Sequence, residues 1–278
     1  MLTPVRSGAF ITGVSSGLGR QMTEQLLARG ERVAGTIRRA GALDDLKAAH
    51  GHRLWLAQLD VTDTAAVRDV VGRAFAQLGR IDVVINNAGY GILGAAEELT
   101  DAQINQQIAT NLVGSIQVVR AAIPHLREQG GGRIIQISTM GGQATFPGGS
   151  LYHTSKWGIE GFIESIRHEL APFNIAVTIV EPGSTGTQFG SNLVVSHPLD
   201  IYANGPVGQA RAFFGSGTYK SPGDAAKTAR VILDTADQDP PPLRLATGSD
   251  AYAAMHRALT ARLAELESQK DLAASTDA

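Results

Sequence analysis

Tyr152 and Lys156 stand four residues apart, a spacing that on a helix puts a phenol and an ammonium on one face. A free phenol titrates near pH ~10. A neighbouring ammonium favours the phenolate, making such a pair a usable proton donor and acceptor near neutral pH. Alone, Tyr-x-x-x-Lys is a common chance spacing. It gains meaning from Thr12-Gly13-Val14-Ser15-Ser16-Gly17-Leu18-Gly19, which lies between an apolar run and a helical pattern. Gly13 permits a tight turn there, while Gly17 and Gly19 let backbone and helix approach a pyrophosphate seated on the helix N-terminus. Gly13, Ser15, Ser16, Gly17, Leu18 and Gly19 are thus the expected cradle of a dinucleotide. Their spacing differs from the commoner Gly-x-Gly-x-x-Gly, and a ligand-free glycine turn is the plain alternative.

The end of the second strand bears on which dinucleotide is bound. Sites for NAD place an acid there to accept from the ribose 2′-hydroxyl. This chain has Thr36-Ile37-Arg38-Arg39 instead. A carboxylate repels a 2′-phosphate, whereas a guanidinium grips it in a fork. NADP(H) is therefore the expected cofactor, with Arg38 the principal contact and Arg39 beside it; two solvated arginines are the alternative. Asp60-Val61 ends a third apolar run, which would put the carboxylate near an adenine amino group unless it caps the next helix. Asn86-Asn87-Ala88-Gly89 ends a fourth, and its two amides and two small residues suit a backbone close to a ribose. A purely structural turn would read the same way.

Alternating elements must position these groups. Strands are expected at Ala9–Thr12, Arg32–Ile37, Arg53–Leu59, Asp82–Asn86, Arg133–Ser138, Ala176–Glu181 and Leu243–Ala246. Helices are expected at Leu18–Arg29, Thr64–Leu78, Asp101–Arg127, Leu151–Leu170 and Pro222–Thr235. Runs such as Val83-Val84-Ile85 are apolar on both faces, as buried parallel strands should be. The alternation predicts an α/β fold with a doubly wound parallel sheet of about seven strands flanked by helices, in one domain. Residues 5–248 form that domain, followed by a C-terminal helix at 249–267 and a frayed tail at 268–278. The segment 188–221 is too long and irregular for an ordinary connection, and its apolar content marks it as a substrate lid.

Bulk properties narrow the class. With 278 residues, 43% hydrophobic and 18% charged, the chain can bury a large core. A net charge of −2 without Lys/Arg blocks recommends neither nucleic acid nor an anionic membrane as partner. The absence of cysteine excludes disulfides and thiol catalysis. None of His50, His52, His125, His153, His168, His197 and His256 falls in a His-x-x-x-His pattern, so no metal site is expected. His153 should point away from the Tyr152 face. The N-terminus, Met1–Ser7, shows no signal pattern and no run is long enough to span a bilayer; a cytoplasmic protein is expected.

Thr12-Gly-x-x-x-Gly-x-Gly19, Asp60, Asn86–Gly89, Asn111, Tyr152-x-x-x-Lys156 and Pro182-Gly183 occur together in the order seen in one family. Over roughly residues 8–187 the chain resembles the classical short-chain dehydrogenases/reductases. The resemblance implies a Rossmann fold, homodimers or homotetramers, and hydride transfer between a nicotinamide and a carbonyl or alcohol carbon. It implies that Tyr152 donates a proton to the substrate oxygen, and that Lys156 lowers the Tyr152 pKa and bonds the nicotinamide ribose. Asn111 would hold a water linking Lys156 to solvent. Asn87, Ala88, Gly89, Pro182, Gly183 and Thr187 would wrap the cofactor, with Thr187 near the carboxamide.

Relatives place a Ser thirteen residues before the Tyr to orient the substrate oxygen; here that count reaches Thr139. Thr139 is the expected donor and Ser138 the alternative. Phe146, Leu193, Phe213 and Phe214 suggest an apolar ketone or alcohol, as in the hydroxysteroid/retinol dehydrogenase-like branch that the chain resembles. Two other readings are weighed. A nucleotide-sugar epimerase or dehydratase usually opens with Gly-x-x-Gly-x-x-Gly, and a non-catalytic NADP(H)-binding sensor commonly loses the Tyr or Lys retained here. Oligomer contacts are expected through 101–127 and 151–170, where Ile159, Phe162, Ile163, Ile166 and Leu170 recur at helical spacing.

Overall fold

The computed structural model describes residues 8–190, 192–216 and 221–277. Met1–Ser7 and Lys220 therefore lie outside the described residues. The chain begins β1 (Gly8–Ile11), α1 (Gly17–Ala28), β2 (Arg32–Ile37), α2 (Asp44–His50), β3 (Leu54–Gln58), α3 (Thr64–Leu78) and β4 (Val83–Asn86). It continues with the two-residue β5 (Ile92–Leu93), α4 (Asp101–Ile108), α5 (Ser115–Glu128), β6 (Gly132–Ile137), α6 (Ser150–Leu170) and β7 (Ile175–Pro182). The last part holds β8 (Val194–Val195), α7 (Pro206–Gly215), α8 (Ala225–Thr235), β9 (Arg244–Thr247), α9 (Ser249–Ser268) and α10 (Lys270–Ala274).

Seven strands form one parallel sheet in the order β3-β2-β1-β4-β6-β7-β9. The order in which strands are added to the sheet reverses between the parallel β1 and β4, and a crevice opens beyond their carboxyl ends. Adjacent residues of each central strand serve opposite layers. Val84, Ile134 and Ile179 pack with Val70, Val118 and Ile159 from α3, α5 and α6. Val83, Ile135 and Val180 pack with Met22, Leu26 and Ile232 from α1 and α8. That division is the physical meaning of the unbroken apolar runs.

Local details differ from the expectation. The single helix expected at 101–127 is divided by a π-helical turn at Ala109–Gly114. A Cβ at Gly114 would stand 2.8 Å from the Val61 carbonyl oxygen, so the wide turn lets this helix ride close over β3's end. The helix expected from Pro222 starts at Ala225, because the Asp224 carboxylate caps it by accepting from the Lys227 N–H at 2.8 Å. The segment 188–216 is more regular than its composition suggests. It carries β8, a 3₁₀ turn (Asp200–Tyr202) and α7, and β8 pairs in parallel with β5. On α6, Ile159, Ile163, Ile166 and Leu170 are all buried against the sheet, with Phe162 packed beside them. Their helical spacing is thus used within the chain.

Candidate active site

The glycine turn sits at the switch point of the sheet. Gly13 (φ 71°) and Gly17 (φ 55°) occupy the left-handed region, where a side chain is strained. A Cβ at Gly19 would overlap the Gly13 carbonyl oxygen, which is why α1 can begin so close under the turn. A cleft of ≈ 470 Å³ lies above it, lined by Ser15, Ser16, Gly17, Arg20, Gln21, Gly186, Thr187 and Gln188. These features fit a dinucleotide pyrophosphate: a bare backbone, a helix N-terminus and no side chain filling the cradle.

Asn87 stitches the turn in place. Its amide donates to the Thr12 and Gly13 carbonyls at 2.9 and 3.0 Å, while its own N–H donates to Thr12 Oγ1 at 2.9 Å. Asn86 donates to Ser115 O at 2.8 Å and Gln136 Oε1 at 3.0 Å. Both amides are therefore occupied in joining the glycine turn, β4, α5 and β6. Arg38 and Arg39 are exposed beyond β2, and the Arg38 charge acts on Asp60 and Tyr90. Asp60 does not cap α3; Asp63 does, accepting from Ala65 and Ala66 N–H at 3.0 Å. Asp60 instead accepts from the Thr62 N–H and hydroxyl, which hold its carboxyl below the usual range. Val61 is buried behind it.

Thr139 and Tyr152 meet across the crevice. Thr139 lies close enough to the Tyr152 phenol to act on its titration. Thr139 Oγ1 also donates to Pro182 O at 3.4 Å and accepts from the Gly141 N–H at 3.3 Å, so it links β6, β7 and the turn between β6 and α6. Lys156 is buried one turn along α6, its ammonium donating to Ile137 O at 3.0 Å and lying 5.8 Å from the Tyr152 ring centroid. The expectation of a lowered phenol pKa fails for the chain by itself. Burial pushes the Tyr152 phenol above its ordinary value, with the neighbouring Thr139 hydroxyl acting against it. Burial also lowers the Lys156 ammonium to about 8, opposed by the charge of Glu160. Desolvation dominates the Tyr152 shift, and the Lys156 ammonium is directed at the Ile137 carbonyl.

Asn111 lies in the π-helical turn. Its side chain accepts from the Tyr90 N–H at 3.1 Å and donates to Tyr90 O at 2.8 Å and Ser155 Oγ at 3.2 Å. The head group clamps the Tyr90 backbone next to Gly89, beside Lys156. Pro182 and Gly183 leave β7, with the Gly183 N–H donating to Thr247 O at 2.8 Å. Thr187 lies over Gly17, its Cβ 3.5 Å from where a Gly17 Cβ would stand.

Sequence reasoning missed the groups behind these residues. Ser138 donates to Glu160, which also accepts from Gln143 and Arg244. Arg244 bonds Glu164 and Glu181 as well. Three carboxylates share one guanidinium, and burial followed by Glu160 repulsion raises Glu181 to about 7 despite Arg244. Asp250 accepts from the Ser184 N–H at 2.7 Å, and Arg262 donates to Gln143 O, so α9 holds both walls of the crevice. Glu98 is wholly buried and receives Arg211 of α7, together with the N–H groups of Ala95 and Leu199. Burial alone would raise its pKa; those donors hold it below the usual carboxylate range. His153 is buried beneath 141–149, edge-on to Phe146 with ring centroids 4.2 Å apart, and burial lowers it to about 4. Only the short-range Glu-x-x-x-Glu spacing of α6 hinted at any of this.

The short chain dehydrogenase family profile matches residues 7–196, and the chain belongs to that family. It is 38% identical over 248 residues to the oxidoreductase BOA17 of Botryotinia fuckeliana, covering 87% of this chain and 89% of that one. The solved structure of a short-chain dehydrogenase from Streptomyces avermitilis superposes with a TM-score of 0.91 at 38% identity, covering 98% and 100% of the two chains. Human retinol dehydrogenase 8 is 34% identical over 192 residues, 66% of this chain and 61% of that one.

Proposed function

We propose that this oxidoreductase is an NADP(H)-dependent carbonyl reductase or alcohol dehydrogenase acting on an apolar ketone or secondary alcohol, with Tyr152 as general acid/base. The observation that carries this reading is the Tyr152 phenol buried beside Thr139, with the buried Lys156 one turn along α6. Bound in that cradle, the dinucleotide supplies a hydride to, or accepts one from, the substrate carbon. The chain's own residues do the rest. Gly13, Ser15, Ser16, Gly17, Leu18 and Gly19 seat the pyrophosphate, Asp60 and Val61 border the adenine, and Arg38 with Arg39 takes the 2′-phosphate. Asn87, Ala88, Gly89, Pro182, Gly183 and Thr187 border the remainder.

Thr139 donates to the substrate oxygen and fixes its direction. Tyr152, protonated at neutral pH by virtue of its burial, gives up its proton to that oxygen as the alkoxide develops. The Lys156 charge then stabilises the phenolate left behind, and Asn111 holds the backbone that flanks Lys156. Alcohol oxidation runs through the same groups with the proton moving to Tyr152.

Apolar walls support the substrate class. Phe189 lies 5.6 Å from the Tyr152 ring, and a Cβ at Gly91 would stand 2.7 Å from Leu193 Cδ2. Segment 188–216 thus acts as the substrate lid, latched by Glu98 and Arg211. Phe213 is exposed and is excluded from the wall. The relationship to a retinol dehydrogenase agrees with an apolar alcohol or ketone. The test is NADPH consumption over a panel of aryl, retinoid and steroid-like ketones beside Tyr152→Phe. Turnover lost in the variant with NADPH binding retained is the expected result; tight NADPH binding with no turnover on any carbonyl overturns it.

A further inference from the structure

Asp250 stands in the first turn of α9 and reaches back onto the turn that leaves β7. One carboxylate oxygen, Oδ2, accepts from the Ser184 N–H at 2.7 Å. The other, Oδ1, is buried and takes no hydrogen bond among the described residues. It lies against two bare backbones. A Cβ at Gly183 would overlap it, and one at Gly248 would stand 2.6 Å away.

A buried carboxylate oxygen without a donor is unfavourable, and buried charges are normally paired. Among the described residues Asp250 pairs with no cation. Arg244, on the adjoining strand β9, is engaged by Glu160, Glu164 and Glu181. Arg262, on the same helix, donates to Gln143 O and stacks on Trp157. What holds the Asp250 charge is the Ser184 N–H and the N-terminal end of α9. Its field is therefore left largely uncancelled, and it falls at a particular place. Pro182, just before Gly183, accepts from Thr139 Oγ1 at 3.4 Å, so this backbone lies at the reacting end of the crevice.

We infer that Asp250 is a positioning residue that holds the Gly183-Ser184 backbone and sets the balance between the two forms of the bound cofactor, favouring NADP⁺ over NADPH. The inference rests on the NADP(H) reading above, in which Pro182 and Gly183 border the dinucleotide. The two forms differ by one positive charge on the nicotinamide, which a fixed negative charge behind Gly183 favours. In carbonyl reduction the substrate carbon takes the hydride, its oxygen takes the Tyr152 proton, and that positive charge is created in the same step. Asp250 thus assists reduction of a carbonyl and opposes oxidation of an alcohol. A residue needed only to tie down Ser184 would do so equally well without a charge.

The test separates tie from charge. Asp250→Asn is nearly isosteric, and its amide oxygen can still accept from the Ser184 N–H. Asp250→Ser is a second charge-free variant, of a residue type suited to a helix start, should the Asn variant fold poorly. Glu267→Gln, exposed at the far end of α9, controls for net charge. Isothermal titration of each full-length protein gives the dissociation constants for NADP⁺ and NADPH. Asp250→Asn should weaken NADP⁺ by ~10-fold relative to NADPH, and Asp250→Ser should move the ratio the same way. Glu267→Gln should leave the ratio at the unmodified chain's value. A ratio in Asp250→Asn within about two-fold of the unmodified chain overturns the inference, as does an equal shift in Glu267→Gln. An unmodified chain that binds neither nucleotide removes the NADP(H) reading and this inference with it, a result distinct from an unmoved ratio.

Discussion

Ser138 and Thr139 are neighbours in sequence, yet their hydroxyls serve opposite sides of the β6 end. Ser138 donates to the buried Glu160, whereas Thr139 lies beside the Tyr152 phenol. The alternation of an extended strand turns one hydroxyl into the protein and the next into the crevice. Thr139→Val should therefore reduce kcat by about 10²-fold, on the scale of one lost oxyanion donor. Ser138→Ala should leave kcat within a few-fold and lower stability by about 1–3 kcal/mol, because Glu160 loses a buried donor. Steady-state kinetics and thermal melts of both variants check this, and the reverse pattern would reassign the roles.

The proton chemistry has a pH signature. Tyr152 stays protonated well past neutrality, while Lys156 loses its charge at about 8. The rate of carbonyl reduction should hold level up to that point and decline above it. In Lys156→Met the decline should vanish along with most of the activity. A pH–rate profile in both proteins tests the assignment.

Glu181 gives a stability effect of definite sign. Its folded pKa, about 7, lies above the ordinary carboxylate value, so the folded state binds the extra proton between those limits. The contribution is present at acidic pH and is lost as pH rises to about 7. Glu181→Gln should remove that slope. Denaturant melts at pH 5 and pH 8 should show the variant gaining on the parent by on the order of 1 kcal/mol at the higher pH.

Arg38 is expected to set cofactor choice. Arg38→Ala should weaken NADPH by about 10–100-fold while leaving NADH nearly unchanged, the loss of a charge-assisted fork. Isothermal titration with both nucleotides measures it, and unchanged preference would remove Arg38 from the 2′-phosphate site.

Removal of Arg211 would strand the buried Glu98 carboxylate. Arg211→Ala should cost about 3–5 kcal/mol locally and release segment 188–216, raising KM and admitting protease there before the rest of the chain unfolds. Glu98→Gln, which keeps the acceptor for Ala95 or Leu199 without the charge, should show a smaller effect. Limited proteolysis with mass spectrometry locates the cleavage.

The parts legible in the sequence were those written locally. Strands such as Arg32–Ile37 and the Gly13–Gly19 turn declare themselves through runs of adjacent residues. The Tyr152–Lys156 spacing likewise survives as one face of α6. What stayed hidden depends on residues far apart in the chain. Glu160 and Arg244 are 84 positions apart, and Glu98 and Arg211 are 113 apart. The two-residue pairing of β5 with β8 is too short to carry a pattern. Burial, which decides the sign of the Tyr152 shift, is a property of the packed molecule and not of a four-residue spacing.

The bracing by α9 has a consequence for how the protein comes into being. Thr139, Tyr152, Lys156 and the glycine turn have all left the ribosome before Arg244, Asp250 and Arg262 are made. A nascent chain ending at β7 holds every group proposed to do chemistry, but neither the guanidinium that gathers Glu160 and Glu181 nor the helix that fixes Ser184 and Gln143. The brace of Arg244, Asp250 and Arg262 is therefore made after every group proposed to do chemistry.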